Sequence, residues 1–319
     1  MTRSASPKSW ITGGRGFIGR HMAASMHAKG HAVIGLGHGA FSDAERTAGG
    51  WLDWRNGEVS HANLDGLAAA HGLPDTVLHL AGGSAVGPSF ALPAEDFRRT
   101  VISAADLAEW VRLRSPLTRL VMASSAAVYG AGHPGPIIET AACRPFSPYG
   151  YHKRMAESVL ESYARNFGLS VAIVRFFSVY GAGLRKQLLW DCCTRLVNKP
   201  LSLNLGGNGT ELRDWVHVAD AVALLACASS VASPDCPVLN GGSGTATSIQ
   251  SVAESLCAAW QLPGLPVRFS GNARPGDPAS LVADPKAAMS IGWQPTVPWA
   301  QGIAEYVNWY RAAAQGAAL

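Results

Sequence analysis

Ile11-Thr12-Gly13-Gly14-Arg15-Gly16-Phe17-Ile18-Gly19 is the stretch on which the reading of this chain turns. A short apolar run, Ser9–Thr12, reads as a strand before it, and Phe17–Lys29 reads as a helix after it. Between them Gly13, Gly16 and Gly19 stand at GxxGxxG spacing. The first glycine permits the tight turn, the second lets backbone N–H groups approach a pyrophosphate, and the third lets helix lie close on sheet. The helix start adds partial positive charge where phosphate oxygens would sit. A glycine loop in this place predicts a dinucleotide site, with Arg15, Phe17 and Ile18 at the same turn.

Outward from this loop, short β-branched runs alternate with helical patterns: strands at Ala32–Leu36, Thr76–Leu80, Leu117–Ala123 and Ser170–Phe176, helices at Pro93–Leu113 and Tyr149–Phe167. VLHLA and RLVMA are nearly continuous apolar runs, as expected of strands covered on both faces. The pattern predicts an α/β fold, a Rossmann-type doubly wound parallel sheet over residues 1–178. Past about Tyr180 glycine and proline become denser, and loops such as GLGGNG and NARPGDP appear. Residues 179–319 are read as a smaller α/β substrate-binding domain, with Asp214–Val218 and Val238–Asn240 expected to return as late strands of the first sheet.

The second strand reads HAVIGLGHG and ends in Gly37 and His38. An acid at that point favours NAD, because a carboxylate accepts both ribose hydroxyls. Its absence, with Arg15 and His38 near the same corner, leads to the expectation that NADP(H) is favoured over NAD(H).

Tyr149 and Lys153 stand four apart at the start of a predicted helix and so share one face. A phenol titrates near 10, and lowering that by about three units takes roughly 4 kcal/mol, which a close ammonium and an oxidised nicotinamide could supply. Ser124 and Ser125 follow a strong apolar strand, where a hydroxyl can orient a carbonyl or an alcohol.

These elements together resemble the extended short-chain dehydrogenase/reductase family, in particular its sugar-nucleotide epimerase/dehydratase group. The resemblance is carried by TGGRGFIG (12–19), LDW (52–54), HLAG (79–82), SSAAVYG (124–130), SPYGYHK (147–153), RFFSVYG (175–181), RDWVHVAD (213–220) and RPGD (274–277). It implies Ser125, Tyr149 and Lys153 as catalytic group and places Asp53 and Trp54 along the adenine. Leu80, Ala81 and Gly82 lie at the strand end beneath the cofactor, and Phe176 lies near the nicotinamide. On the substrate side it implies Ser84, Ser125, Tyr149, Ser178, Arg213 and Arg274, the two arginines gripping a diphosphate with their planar forks. His79 reads as a strand-face imidazole satisfied locally. Ser178 and Thr100 replace asparagines usual in the group. Ala126 and Ala127 stand where 4,6-dehydratases carry an Asp-Glu pair, so water elimination is not expected.

The implied reaction is hydride transfer at C4 of a nucleotide-diphosphate sugar, as an epimerase or alternatively as an NADPH-dependent 4-keto reductase. A catalytically idle NAD(P)-binding scaffold is a third possibility, against which the intact trio speaks. Loops 184–212 and 262–280 are expected to select base and sugar, with LRKQLLW (184–190) either capping the nucleotide or forming an amphipathic helix. The resemblance also implies a homodimer through helices near 93–113 and 149–167, and supply of a sugar for a surface polysaccharide or glycoside.

Composition agrees with a buried enzyme: 48% hydrophobic, 15% charged and a net charge of +4 over 319 residues. No basic run suggests nucleic acid, no apolar run is long enough for a membrane span, and no apolar segment precedes the first strand. A cytoplasmic protein is expected. Its six cysteines lack metal-ligand spacing and read as reduced, buried thiols, with no metal site.

Overall fold

The computed structural model describes residues 6–272 and 278–316. In chain order its strands are β1 (Lys8–Thr12), β2 (Ala32–Gly37), β3 (Asp53–Asn56), β4 (Thr76–His79), β5 (Arg119–Ser125), β6 (Val171–Phe176), β7 (Ser178–Tyr180), β8 (Leu203–Leu205), β9 (Leu212–His217), β10 (Val238–Gly241), β11 (Ala246–Ser248), β12 (Val267–Phe269) and β13 (Ser280–Leu281). Seven of them form one parallel sheet in the order β10-β6-β5-β4-β1-β2-β3. The sheet reverses direction of growth at β1, beside which the glycine loop leaves, as in doubly wound folds that bind ligand at this crevice.

Side chains alternate across the pleat and so build two cores. Ile11, Val33, Leu78 and Val121 point to one face, where Met22, Ala23 and Met26 of the helix Phe17–Ala28 and Leu224, Leu225 and Ala228 of the helix Val218–Val231 cover them. Trp10, Ile34, Val77 and Leu120 point to the other, under Leu107, Trp110 and Val111 of the helix Ser103–Arg114 and Leu160 of the helix Pro148–Phe167.

Val238–Gly241 returns to this sheet beside β6, but Leu212–His217 does not. That strand instead centres a second sheet with β7, β11 and β13. Its Asp214 carboxylate collects the N–H groups of Ser243, Gly244 and Ala283, an acceptor role that ties it to neighbours of the second sheet. The expected helix Pro93–Leu113 is three pieces: Pro93–Phe97, a π-helical turn Arg98–Ile102, and Ser103–Arg114. The wide turn directs buried Thr100 at Gly83, whose N–H donates to Thr100 Oγ1 at 2.8 Å. A third core gathers under the helices Gln187–Leu196, Ile249–Ala259 and Trp299–Gly316. Cys192 and Cys193 sit in it, their thiols pushed up by burial to about 12 and therefore inert. Cys143 and Cys227 are only half-buried, which corrects the expectation for those two.

Candidate active site

A cleft of about 1050 Å³ runs over the C-terminal ends of the parallel strands, between the sheet and the segments that follow β6. The glycine loop forms one wall. Gly13 has φ +68°, and a Cβ there would lie 2.7 Å from the backbone of Leu80 and Ala81. A Cβ on Gly19 would fall 2.6 Å from the Gly13 carbonyl, so the helix could not approach. Gly16 caps that helix without a side-chain hydrogen bond, leaving its first-turn N–H groups to a phosphate. The residues present therefore fit a dinucleotide: a wall any side chain would fill, unsatisfied N–H groups at a helix start, and a cleft of ligand size. Phe17, Ile18, Arg15 and His38 line the same end, and Leu80, Ala81, Gly82, Ser84, Phe176, Ser178 and Arg213 line the rest.

Ser125, Tyr149 and Lys153 come together mid-cleft. Ser147 caps the helix Pro148–Phe167 by accepting from the Gly150 N–H at 3.2 Å. Gly150 lets this helix touch the end of β5: a Cβ would lie 2.7 Å from the Ala127 carbonyl. Tyr149 thereby meets Ser125, whose hydroxyl favours its phenolate. Lys153 Nζ donates to the Ala123 carbonyl at 3.0 Å and lies 5.9 Å from the Tyr149 ring centre. Burial pushes Lys153 down to about 8, opposed by the carboxylates of Asp96 and Glu157. Burial also pushes Tyr149 up, against the effect of Ser125, with Asp96 adding to the rise. The lowering expected from the sequence includes the charge of an oxidised nicotinamide; from the protein's own groups, burial sets the direction.

Behind the group lies a buried network. Glu157 accepts from Arg175 Nε at 3.0 Å and Nη2 at 2.8 Å, and from Ser124 Oγ at 2.5 Å. Arg175 Nη1 also donates to Tyr129 Oη and to the Glu139 carbonyl, each at 3.0 Å. Sequence reading missed this network, although Glu157 follows Lys153 by one helical turn and Arg175 opens the RFF motif. His79 Nδ1 pairs with Thr12 Oγ1 at 2.8 Å, but its Nε2 is buried without a hydrogen-bond partner among the described residues, so it is only half satisfied.

Asp53 and Trp54 are not in the cleft. Asp53 pairs with His71 at 2.7 Å, and the Trp54 indole lies beside Gly35 and Gly37 while its N–H donates to the Gly39 carbonyl at 2.8 Å. Gly57, Glu58 and Val59, just beyond β3, line that end instead. Arg274 lies outside the described residues. Arg213 Nη1 is held by the Leu212 and Pro278 carbonyls, each at 2.8 Å. In the LRKQLLW segment Lys186 and Gln187 line the cleft, and Gln187 starts a helix that buries Leu189, Cys192, Cys193 and Leu196. Among the described residues no group of His, Cys, Asp and Glu could hold a metal, and no helix is long and apolar enough to cross a membrane.

The chain is 30% identical to the UDP-glucose 4-epimerase of Halalkalibacterium halodurans, over 94% of this chain and 95% of that one. It is 33% identical to MoeE5, whose structure holds UDP-glucuronic acid and NAD, with TM-score 0.83 over 96% of this chain and 99% of the other. UDP-glucose 4-epimerase from Thermus thermophilus, in complex with NAD, is 26% identical with TM-score 0.83, covering 96% and 99%.

These similarities overturn the expected preference for NADP(H) over NAD(H), since the related structures hold NAD. The packing shows why the sequence misled. Gly37 is glycine with the Trp54 ring beside it, and Arg15 is spread over the Phe41 ring at 5.0 Å. The model of the NAD dependent epimerase/dehydratase family matches residues 10–236, and the chain belongs to that family.

Proposed function

We propose that this protein interconverts C4 epimers of a UDP-hexose with an NAD that it retains through the cycle. The observation that carries the reading is the convergence of Ser125, Tyr149 and Lys153 on one cleft with the glycine loop. NAD held by the glycine loop and the first-turn N–H groups of the helix Phe17–Ala28 would supply a reversible hydride acceptor for the sugar C4 and, in its oxidised form, positive charge near the phenol. Tyr149 takes the C4 hydroxyl proton during oxidation and gives it back during reduction. Ser125, which acts on Tyr149, orients the same oxygen, and Lys153, fixed on the Ala123 carbonyl, biases the phenol towards phenolate. Arg213, within residues 179–319, grips the diphosphate and so contributes binding that does not change along the reaction. Ala126 and Ala127 can transfer no proton, which speaks against dehydration. The test is to incubate the protein with UDP-galactose and no added cofactor, then identify product and the nucleotide released on denaturation. UDP-glucose and NAD are expected; a demand for added NADPH would favour the reductase.

Lys186 favours a second substrate, UDP-glucuronic acid. It is a half-buried cation lining the cleft, its Nζ on the Ser84 carbonyl at 2.9 Å and its charge felt at Lys153. A carboxylate on the sugar would neutralise it. A kcat/KM for UDP-glucuronic acid above that for UDP-glucose, lost on Lys186→Met, supports this reading.

We also propose a homodimer through the helices near 93–113 and 149–167, supported by exposed Leu113, Tyr151 and Met155 there. Sedimentation of the wild type against Met155→Glu tests it. A cytoplasmic setting fits the free thiols.

A further inference from the structure

Asp96 and His152 form a buried pair beside the catalytic trio. His152 Nδ1 lies 2.6 Å from Asp96 Oδ2, with the two side chains 12% and 8% exposed. The Phe97 ring meets the imidazole edge-on, centroids 5.4 Å apart. Asp96 comes from the helix Pro93–Phe97, while His152 stands between Tyr149 and Lys153 on the helix Pro148–Phe167. The carboxylate is pressed under a turn of the cleft wall: a Cβ on Gly83 would fall 1.8 Å from Asp96 Oδ1.

Several charged groups act on the couple. Glu157, one turn along the same helix, supports the Lys153 ammonium; Lys186, from the segment before Gln187–Leu196, opposes it. His79 on β4 lies within the field of Lys153. Of these groups only Asp96 acts on both Lys153 and Tyr149, and it favours the protonated form of each. An imidazole N–H on its other oxygen takes up part of that charge and fixes its position.

We propose that Asp96 and His152 are a positioning pair that sets the negative potential at Tyr149 and Lys153, with Asp96 as the source and His152 as its screen. The proposal rests on Tyr149 and Lys153 being the proton-handling couple. It predicts opposite effects from the two halves of one hydrogen bond. Removing the carboxylate makes the phenol more acidic; removing the imidazole leaves the carboxylate unscreened and makes the phenol less acidic.

The experiment compares Asp96→Asn, His152→Phe and the double variant. Phenolate formation is followed by ultraviolet difference spectra of the cofactor-free protein against Tyr149→Phe, and the pH profile of kcat is measured with UDP-galactose. Asp96→Asn should move the Tyr149 titration and the acid limb of kcat to lower pH by about half a unit to one unit, and His152→Phe should move both upward by a similar amount. The double variant should fall with Asp96→Asn, since nothing remains to screen. Shifts in the same direction, or none, overturn the proposal; a pair that only braces the fold would lower Tm and leave the titrations in place. Asp96→Asn is isosteric and decides the matter alone where the bulkier ring does not fold. Opposite phenolate shifts in a protein that turns over no sugar would sustain the pair and sink the epimerase reading, whereas unmoved titrations with intact turnover would do the reverse.

Discussion

Trp54 and Gly35 occupy one space: a Cβ on Gly35 would lie 2.4 Å from the indole Cε3, and one on Gly37 would lie 3.2 Å from its Cη2. Trp51 shares the crowding, lying 2.7 Å from the Gly35 Cβ position and 2.5 Å from that of Gly14. The end of β2 is therefore glycine-rich to admit two indoles behind the cofactor loop. Gly35→Val should destabilise by about 1–3 kcal/mol or more through overpacking, and Trp54→Ile in the same chain should recover part of that. Urea unfolding of the single and double variants measures both. Gly37→Asp should bind NAD better with Trp54→Ile than alone, a comparison made by titrating cofactor into each.

Glu157 and Arg175 share two hydrogen bonds in a fully enclosed setting, Glu157 being 0% and Arg175 4% exposed. Breaking one partner strands the other charge. Glu157→Gln or Arg175→Met should each cost about 3–5 kcal/mol, and the double replacement should cost less than the two losses added. Denaturant midpoints of the four proteins check this.

Lys153 titrates from 10.5 when unfolded to about 8 when folded. Between those values the unfolded chain binds the extra proton, so this group's effect is to lower stability as pH falls from about 10.5 to about 8, with no further change below. Lys153→Met should abolish turnover while stabilising the cofactor-free protein at pH 7 by up to about 3 kcal/mol, a gain that fades above pH ~10.5. Unfolding curves across pH test the sign, which is that of a stability–activity trade-off.

Kinetic constants should separate chemistry from grip. Tyr149→Phe should lower kcat by about 10²–10⁴-fold with little change in KM, as loss of an acid–base group does. Arg213→Met should do the converse, raising KM about tenfold or more at nearly constant kcat. A matching fall of kcat in Arg213→Met would place that arginine in the chemistry.

Local rules carried much of this fold. The glycine loop, the apolar strands β4 to β6 and the Tyr149–Lys153 spacing each depend on residues close in sequence, and each falls near its predicted place. What stayed hidden depends on distant partners. Leu212–His217 looks like a strand of the first sheet until Asp214 is seen bonded to Ser243 and Ala283. Gly37 reads as a cofactor determinant because nothing local announces Trp54 beside it. The Glu157–Arg175 and Asp96–His152 pairs join elements 18 and 56 residues apart, and no periodicity signals such pairings. The upward push of burial on Tyr149 is hidden for the same reason, because burial is a property of the assembled cleft.

The most direct test of the account follows the hydrogen itself. The protein is given UDP-glucose deuterated at C4, with no cofactor added, and the product is examined by NMR. UDP-galactose carrying the deuterium at C4 is the predicted result, since the hydride leaves and returns within one cleft. Loss of the label to solvent, or no conversion without added nicotinamide cofactor, would contradict it.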